Sequence, residues 1–334
     1  MTQASVALPQ NSKKFFVSFF QKRSSFLSFF FEKKNQKAFA SLVARHLPRL
    51  AAIAGLLLAS GARAQTVKLA TWNLNWLTLR VAHDPALPSD VQPRLAGDFL
   101  RLRAYAGKLD ADVVAFQEVD GLDAAARVFD PARYTLITIR QDVVQQVGLA
   151  VRHGIKVQRN AELAALDVEP AGAAHRLRHG LDATLLFSGG ASLRLLAVHL
   201  KTGCHLDPAT AGASGACGLL ARQIALVAAW ANARQAAGEA YALLGDFNRV
   251  LDQPEALGSA LAADHLLRVT AGQSDPCWDG GAFIDHIFLG GAARAWLVPG
   301  SLRVMIYKDA SADDRSHLSD HCPLSVRLTP PAKP

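Results

Sequence analysis

The chain is 334 residues long and formally carries +8, but that charge is unevenly placed. Residues 1–64 hold ten Lys and Arg against the single acid Glu32, which leaves 26 basic and 27 acidic residues in 65–334. The high pI is therefore a property of the leader, and composition supplies no basic nucleic-acid footprint on the folded part.

Residues 1–42 contain nine of the 16 Phe and six of the 12 Lys, whereas the rest is rich in Ala, Leu and Arg, and no Met lies between Met1 and Met305. We expect 1–42 to be a non-native or disordered extension, with translation starting near Val43 on a non-standard codon. A peptide from 1–42 in the unprocessed precursor, seen by mass spectrometry, would refute this. Residues 43–64 have the layout of a signal peptide: the basic stretch Arg45–Arg49, an apolar run from Leu50 to Ser60, and the A-x-A site Ala62-Arg63-Ala64. The run falls short of the roughly 20 residues of a bilayer-spanning helix. The expected product begins near Gln65 and is exported, to a periplasm or the medium.

The exported 65–329 reads as one large domain, with 330–334 a frayed tail. Short apolar runs bounded by turn residues predict strands at 67–72, 112–117, 134–140, 147–152, 183–188, 192–198, 241–245, 284–289, 301–306 and 323–328. Helical spacing of Leu95, Phe99, Leu102, Tyr105 and Leu109 predicts a helix over 94–109. Leu220, Ile224, Val227 and Trp230 predict a second over 219–237. Residues 160–180 and 201–217 read as long loops. Many strands with few helices predict a layered α/β domain with mixed pairing.

Cys204, Cys217, Cys277 and Cys322 all lie in the exported part, and an even count suits two disulfides in an oxidising compartment. Of three connectivities we favour Cys204–Cys217 with Cys277–Cys322, the alternative being buried free thiols. No C-x₂-C pair points to zinc.

Chemistry-bearing residues gather in short segments at the ends of these runs: Thr71-Trp72-Asn73-Leu74-Asn75, Gln117-Glu118, His199, Gly245-Asp246-Phe247-Asn248, and Ser319-Asp320-His321. Acids, amides and imidazoles at strand ends can converge on one cleft, and together they form a hard-cation and general-base inventory suited to phosphate-ester hydrolysis. Gly245 permits a tight backbone, and Asp246 and Asn248, two apart, share one side of an extended chain.

Taken in order from about residue 67 to 328, these segments resemble the endonuclease/exonuclease/phosphatase superfamily, which includes deoxyribonuclease I, apurinic-site endonucleases, neutral sphingomyelinases and inositol-polyphosphate 5-phosphatases. The resemblance implies a deoxyribonuclease I-like sandwich of two packed mixed β-sheets flanked by helices. It implies Glu118 as the principal ligand of Mg²⁺ (Mn²⁺ or Ca²⁺ as alternatives), with Asp320 direct or through water and Asn75 either a neutral ligand or a residue that satisfies turn backbone. Asn73, Asn248 and His199 would contact phosphate, and Asp246 and His321 would activate water and stabilise charge, the base being undecided between them. Asp285 would pair with His321. The resemblance places Gln145 where deoxyribonuclease-like members have the carboxylate that holds this histidine, His199. Lys201 and His205 could contact phosphate or be solvated loop residues, and His286 reads as a strand residue. The implied substrate is nucleic acid, DNA or RNA, with a lipid or small phosphate ester as the alternative; no obligate protein partner is evident.

Overall fold

The strand-forming runs assemble into two six-stranded sheets in the computed structural model, which describes residues 65–206, 214–252, 261, 265–308, 310, 311 and 313–332. The expectations for 1–42 and 43–64 lie outside the described residues. Of the expected tail, Pro330 is buried and Pro331 exposed.

The strands are β1 (Val67–Leu77), β2 (Val113–Val119), β3 (Tyr134–Thr138), β4 (Gln146–Arg152), β5 (Lys156–Arg159), β6 (Leu181–Leu186), β7 (Ser192–His199), β8 (Tyr241–Asp246), β9 (Leu266–Arg268), β10 (Ser274–Asp275), β11 (Gly281–Ala282), β12 (Asp285–Gly290), β13 (Arg303–Val304) and β14 (Leu324–Leu328). Sheet one runs β13-β14-β1-β2-β4-β3 and sheet two β5-β6-β7-β8-β12-β9, with β10 and β11 a separate hairpin. Each sheet has one parallel pair, β1 with β2 and β7 with β8; the other pairs are antiparallel. A parallel pair needs a crossover. Helix α1 (Ala96–Leu109) lies in the first and α3 (Gly215–Ala236) in the second.

Alternation along the strands sorts the apolar residues into three layers. Val67, Leu69, Val113, Ala115, Leu195, Ala197, Ala242, Leu244, Ile287 and Leu289 fill the space between the sheets. Trp72, Leu74, Val114 and Phe116 face the other way, under α1 and α2 (Gly121–Val128). Leu196, Val198 and Leu243 lie under α3. A last short helix, α4 (Asp314–His317), precedes the Ser319-Asp320-His321 segment.

Every predicted strand is present, and both predicted helices. Helix α2, edge strands β5 and β9, and the β10–β11 hairpin were not anticipated: three or four residues cannot display a period, and eight Ala-rich residues barely do. Helix α3 also starts four residues early, inside the predicted loop, of which residues 207–213 lie outside the described residues. The favoured disulfides form, Cys204–Cys217 and Cys277–Cys322, with Cα atoms 5.1 and 5.6 Å apart. Gly245 has φ +142°, and a Cβ there would sit 2.0 Å from the Val198 carbonyl oxygen on the neighbouring parallel strand. Only glycine fits this approach.

Candidate active site

The inter-sheet stripes turn polar at one edge of the sandwich. Leu69 and Thr71 lead to Asn73, Val113 and Ala115 to Gln117, Leu195 and Ala197 to His199, Ala242 and Leu244 to Asp246, and Leu289 and Ile287 to Asp285. Because side chains repeat every two residues, each polar residue inherits the inward direction of the apolar ones before it. The register then aligns them: Asn73 pairs with Gln117, while Asp246 lies between His199 and Asp285 on its two neighbouring strands.

Glu118 has the wrong parity for this face, since Phe116 points outward. A bulge corrects it: pairing slips between Asn73 and Leu77 on one side of β2 and between Phe116 and Val119 on the other. Glu118, Asn75 and Trp76 all take left-handed backbone, with φ of 59°, 44° and 54°, a conformation that costs non-glycine residues of order 1 kcal/mol or more each. The bulge is held by hydrogen bonds. Asn73 Nδ2 donates to Glu118 Oε1 at 3.0 Å, and the Trp76 N–H and Gln145 Nε2 donate to Oε2 at 3.1 and 2.6 Å. The Asn75 N–H closes the turn on Asn73 Oδ1 at 2.8 Å. Gln145 therefore fixes Glu118, whereas the resemblance implies that it would hold His199.

On sheet two the groups themselves are buried. Asp246 accepts from the Asn248 N–H at 2.7 Å and from Nδ2 of both Asn248 and Asn73 at 3.0 Å. His199 Nε2 lies 3.4 Å from Glu118 Oε1 and 3.5 Å from Asp246 Oδ2, and its buried Nδ1 has no partner among the described residues. His321 Nδ1 meets Asp285 Oδ2 at 2.6 Å, which turns Nε2 toward Asp246 Oδ2 at 3.9 Å and Asp320 Oδ1 at 4.0 Å. Its backbone is fixed as well: its N–H donates to Ser319 Oγ, and its carbonyl accepts from Tyr307.

These surroundings set opposite proton affinities. Burial, reinforced by Arg178 and His321, holds His199 well below the ordinary imidazole value, so it is neutral. Burial also acts to lower His321, but the charges of Asp285, Asp246 and Asp320 and the Asp285 hydrogen bond outweigh it and hold His321 well above that value. Asp246 is raised by burial, against His321, with Asp285 and Glu118 adding to the rise. One neutral imidazole, one imidazolium and one basic carboxylate thus share a cleft.

The donor set fits a hard divalent cation. Ligand atoms of Glu118, His199 and Asp246 lie within 4.8 Å of one another, as do those of Asp246, Asp285 and His321. N–H donors fix both Glu118 oxygens yet leave it lone-pair capacity, and one or two carboxylates with water are what Mg²⁺ usually takes. Asp320 stands at the rim with its side chain 56% exposed. Asn75 is not drawn in by any described hydrogen bond. Its amide and carbonyl are used locally, and it lines a separate cavity of about 150 Å³ with Asp90, Gln92 and Arg94.

Sequence reasoning missed two cations. Arg178, from the 160–180 loop, donates to the Leu200 carbonyl at 3.1 Å; burial lowers its proton affinity, and the charges of Glu118 and Asp246 are the strongest opposing that. Arg94, ahead of α1, is buried beneath the β1 bulge. Neither has a motif around it in the sequence. His286, read as a strand residue, is one: its Nε2–H donates to the Arg249 carbonyl at 2.9 Å, and Nδ1 accepts from Thr270 Oγ1 at 2.7 Å.

A two-sheet sandwich with carboxylates, amides and a histidine–aspartate pair at one edge defines a metal-dependent phosphoric ester hydrolase. A family profile described as the Endonuclease/Exonuclease/phosphatase family matches residues 70–321, and the chain belongs to that family. No curated protein matches in sequence. Among solved structures, D. rerio TDP2 complexed with single strand DNA product superimposes with TM-score 0.53 at 16% identity, over 79% of this chain and 98% of that one. The human Nocturnin catalytic domain with bound sulfate gives 0.51 at 16%, over 80% and 96%. The 3′ phosphatase NExo from Neisseria bound to product DNA hairpin gives 0.50 at 18%, over 78% and 99%. At these identities the likeness concerns the fold.

Proposed function

We propose that the protein is an exported, Mg²⁺-dependent nuclease that hydrolyses phosphodiester bonds of DNA or RNA. The observation that carries this reading is the in-register row His199–Asp246–Asp285, capped by His321 and faced by Glu118. Glu118, with Asp320 at the rim, would hold the cation. When bound, it polarises a phosphate oxygen and stabilises the leaving alkoxide.

The protein groups divide the remaining work. Asp246, kept basic by burial, takes the proton of the attacking water. His321, held as imidazolium by Asp285, presents Nε2 to the charge that develops on the phosphoryl oxygens. Neutral His199 orients the phosphate by a hydrogen bond, Asn73 and Asn248 hold the carboxylates of Glu118 and Asp246 in place, and Arg178 adds positive charge behind Glu118. DNA products in the D. rerio and Neisseria relatives support a nucleic-acid substrate. The leader and the two disulfides support export.

One observation favours a second reading, hydrolysis of a lipid headgroup or small phosphate ester in the manner of a phospholipase C or phosphatase. A cavity of about 260 Å³ is lined by Asp275, Asp279, Asp285 and Asp320 against two cations, Arg315 and the His321 imidazolium. That charge balance suits a compact substrate better than a polyanion.

The purified protein, disulfides intact, would be incubated with supercoiled plasmid, linear DNA and RNA, in Mg²⁺ and in EDTA, beside His321→Ala. The expected result is Mg²⁺-dependent cleavage that the variant loses. Absence of cleavage, with turnover of sphingomyelin or phosphomonoesters, would replace the first reading by the second.

A further inference from the structure

We infer that Arg94 is a positioning residue of the catalytic centre, a buried guanidinium that clamps the bulge serving Glu118 to the loop carrying His321. The inference rests on the phosphoesterase reading for what the centre does, but not for the geometry of the clamp.

Arg94 is 7% exposed and lies outside every motif of the sequence. Its Nη1 donates to the carbonyls of Asn75 and, at 3.1 Å, Trp76; its Nη2 donates to those of Leu74 and Leu318, both at 2.9 Å. Three acceptors are consecutive carbonyls of the bulge that aims Asn73 and Trp76 N–H at Glu118. The fourth immediately precedes Ser319-Asp320-His321. A second tie runs parallel: Ser319 Oγ donates to the Asn73 carbonyl at 2.7 Å and accepts from the His321 N–H at 3.0 Å.

Among the described residues, all the hydrogen-bond acceptors of Arg94 are backbone carbonyls. Burial pulls Arg94 down to about 10, and the charges that most oppose this are Asp320 and Glu118. A buried cation without a paired carboxylate is a poor device for stability alone, since an apolar side chain of similar volume avoids the desolvation cost. Four carbonyls converging from two loops need a rigid fork of several N–H donors, which arginine has and lysine lacks. The clamp therefore sets the distance between the group that would hold the cation and the imidazolium that faces the developing charge. Neither loop reaches the other through regular strand pairing here, because β1 has already bulged and β14 has not begun.

The test uses Arg94→Lys, which keeps charge and bulk, with Arg94→Met beside it. Turnover of bis(p-nitrophenyl) phosphate should fall in kcat, with KM nearly unchanged. Mn²⁺ binding without substrate, followed by the loss of free Mn²⁺ signal in electron paramagnetic resonance, should weaken in the same variants. Supports of metal ligands are typically worth about 10–100-fold in either quantity. In metal-free protein, amide exchange should quicken in peptides covering 72–77 and 317–322, while those covering 192–199 and 241–246 stay protected. Wild-type kcat and exchange in Arg94→Lys would overturn the inference, as would exchange that rises evenly over the whole molecule. If the wild type leaves the ester intact, the failure belongs to the phosphoesterase reading, and the exchange and Mn²⁺ results still decide the clamp.

Discussion

The two parallel strand pairs build the two halves of the site by different means. At the end of β1 and β2 the backbone is irregular: three non-glycine residues are left-handed, and a bulge turns Glu118 inward. At the end of β7 and β8 the ladder is regular to its last pair, His199 with Asp246, but the groups it carries are buried and their proton affinities displaced. The first half concentrates conformational strain and the second electrostatic strain. A cation ligand needs only position, whereas a group that moves protons needs position and a tuned affinity. Substitutions in the two halves should therefore fail differently.

The largest effect is expected at His321, which reaches Asp285 of the second half from the segment before β14. His321→Gln should lower kcat by about 10³-fold, the middle of the range for a single acid–base group, and Mn²⁺ binding should persist. Glu118→Gln should lose about 10–100-fold as a ligand change, and raising Mg²⁺ should restore much of that. If high Mg²⁺ rescues both variants or neither, the division between the halves is wrong.

How much of this was legible in the sequence follows the same line. The site end of sheet two could be read almost entirely: uninterrupted apolar stripes end in His199, Asp246 and Asp285, and period-two alternation alone gives their direction. Sheet one could be read only in part. Glu118 stood out as an acid ending a buried strand, but its direction depends on a bulge that no local pattern announces. Arg94 and Arg178 were illegible because they act on loop carbonyls far away in sequence, while Gln145, placed at the site by resemblance, holds Glu118 and not His199. The edge strands β5 and β9 and helix α2 were too short to carry a period.

Acid sensitivity offers a thermodynamic version of the comparison, because β1 and β2 contain no histidine and β12 contains His286. Burial, the largest influence, holds His286 down to about 4. The unfolded chain binds its proton near 6.5, while the folded protein refuses it until about pH 4. Stability is thus complete above about pH 6.5 and declines as pH falls toward 4. The loss is about 3 kcal/mol, at 1.36 kcal/mol per pKa unit. Urea unfolding of wild type and His286→Gln at pH 7 and pH 4 should show the variant losing less, by roughly that amount. Parallel losses in the two proteins would show that His286 is not what resists the proton.

The smallest effect is expected at Asn75, which the sequence leaves open between a cation ligand and a turn residue. The structure gives it a backbone task, a left-handed residue whose N–H and carbonyl are both used in the bulge. Glycine adopts that conformation freely and removes the side chain, so Asn75→Gly isolates one role from the other. Within the ordinary scatter of substitutions away from critical contacts, about ±0.5 kcal/mol, kcat and the Mg²⁺ concentration for half activity should be unchanged. Asn75→Ala, which keeps a Cβ in a left-handed backbone, should be the more damaging variant although it is chemically the closer one. A tenfold rise in the Mg²⁺ requirement of Asn75→Gly would restore the ligand role. It would also mean that the bulge moves when the cation binds, bringing the amide oxygen to a place it does not occupy here.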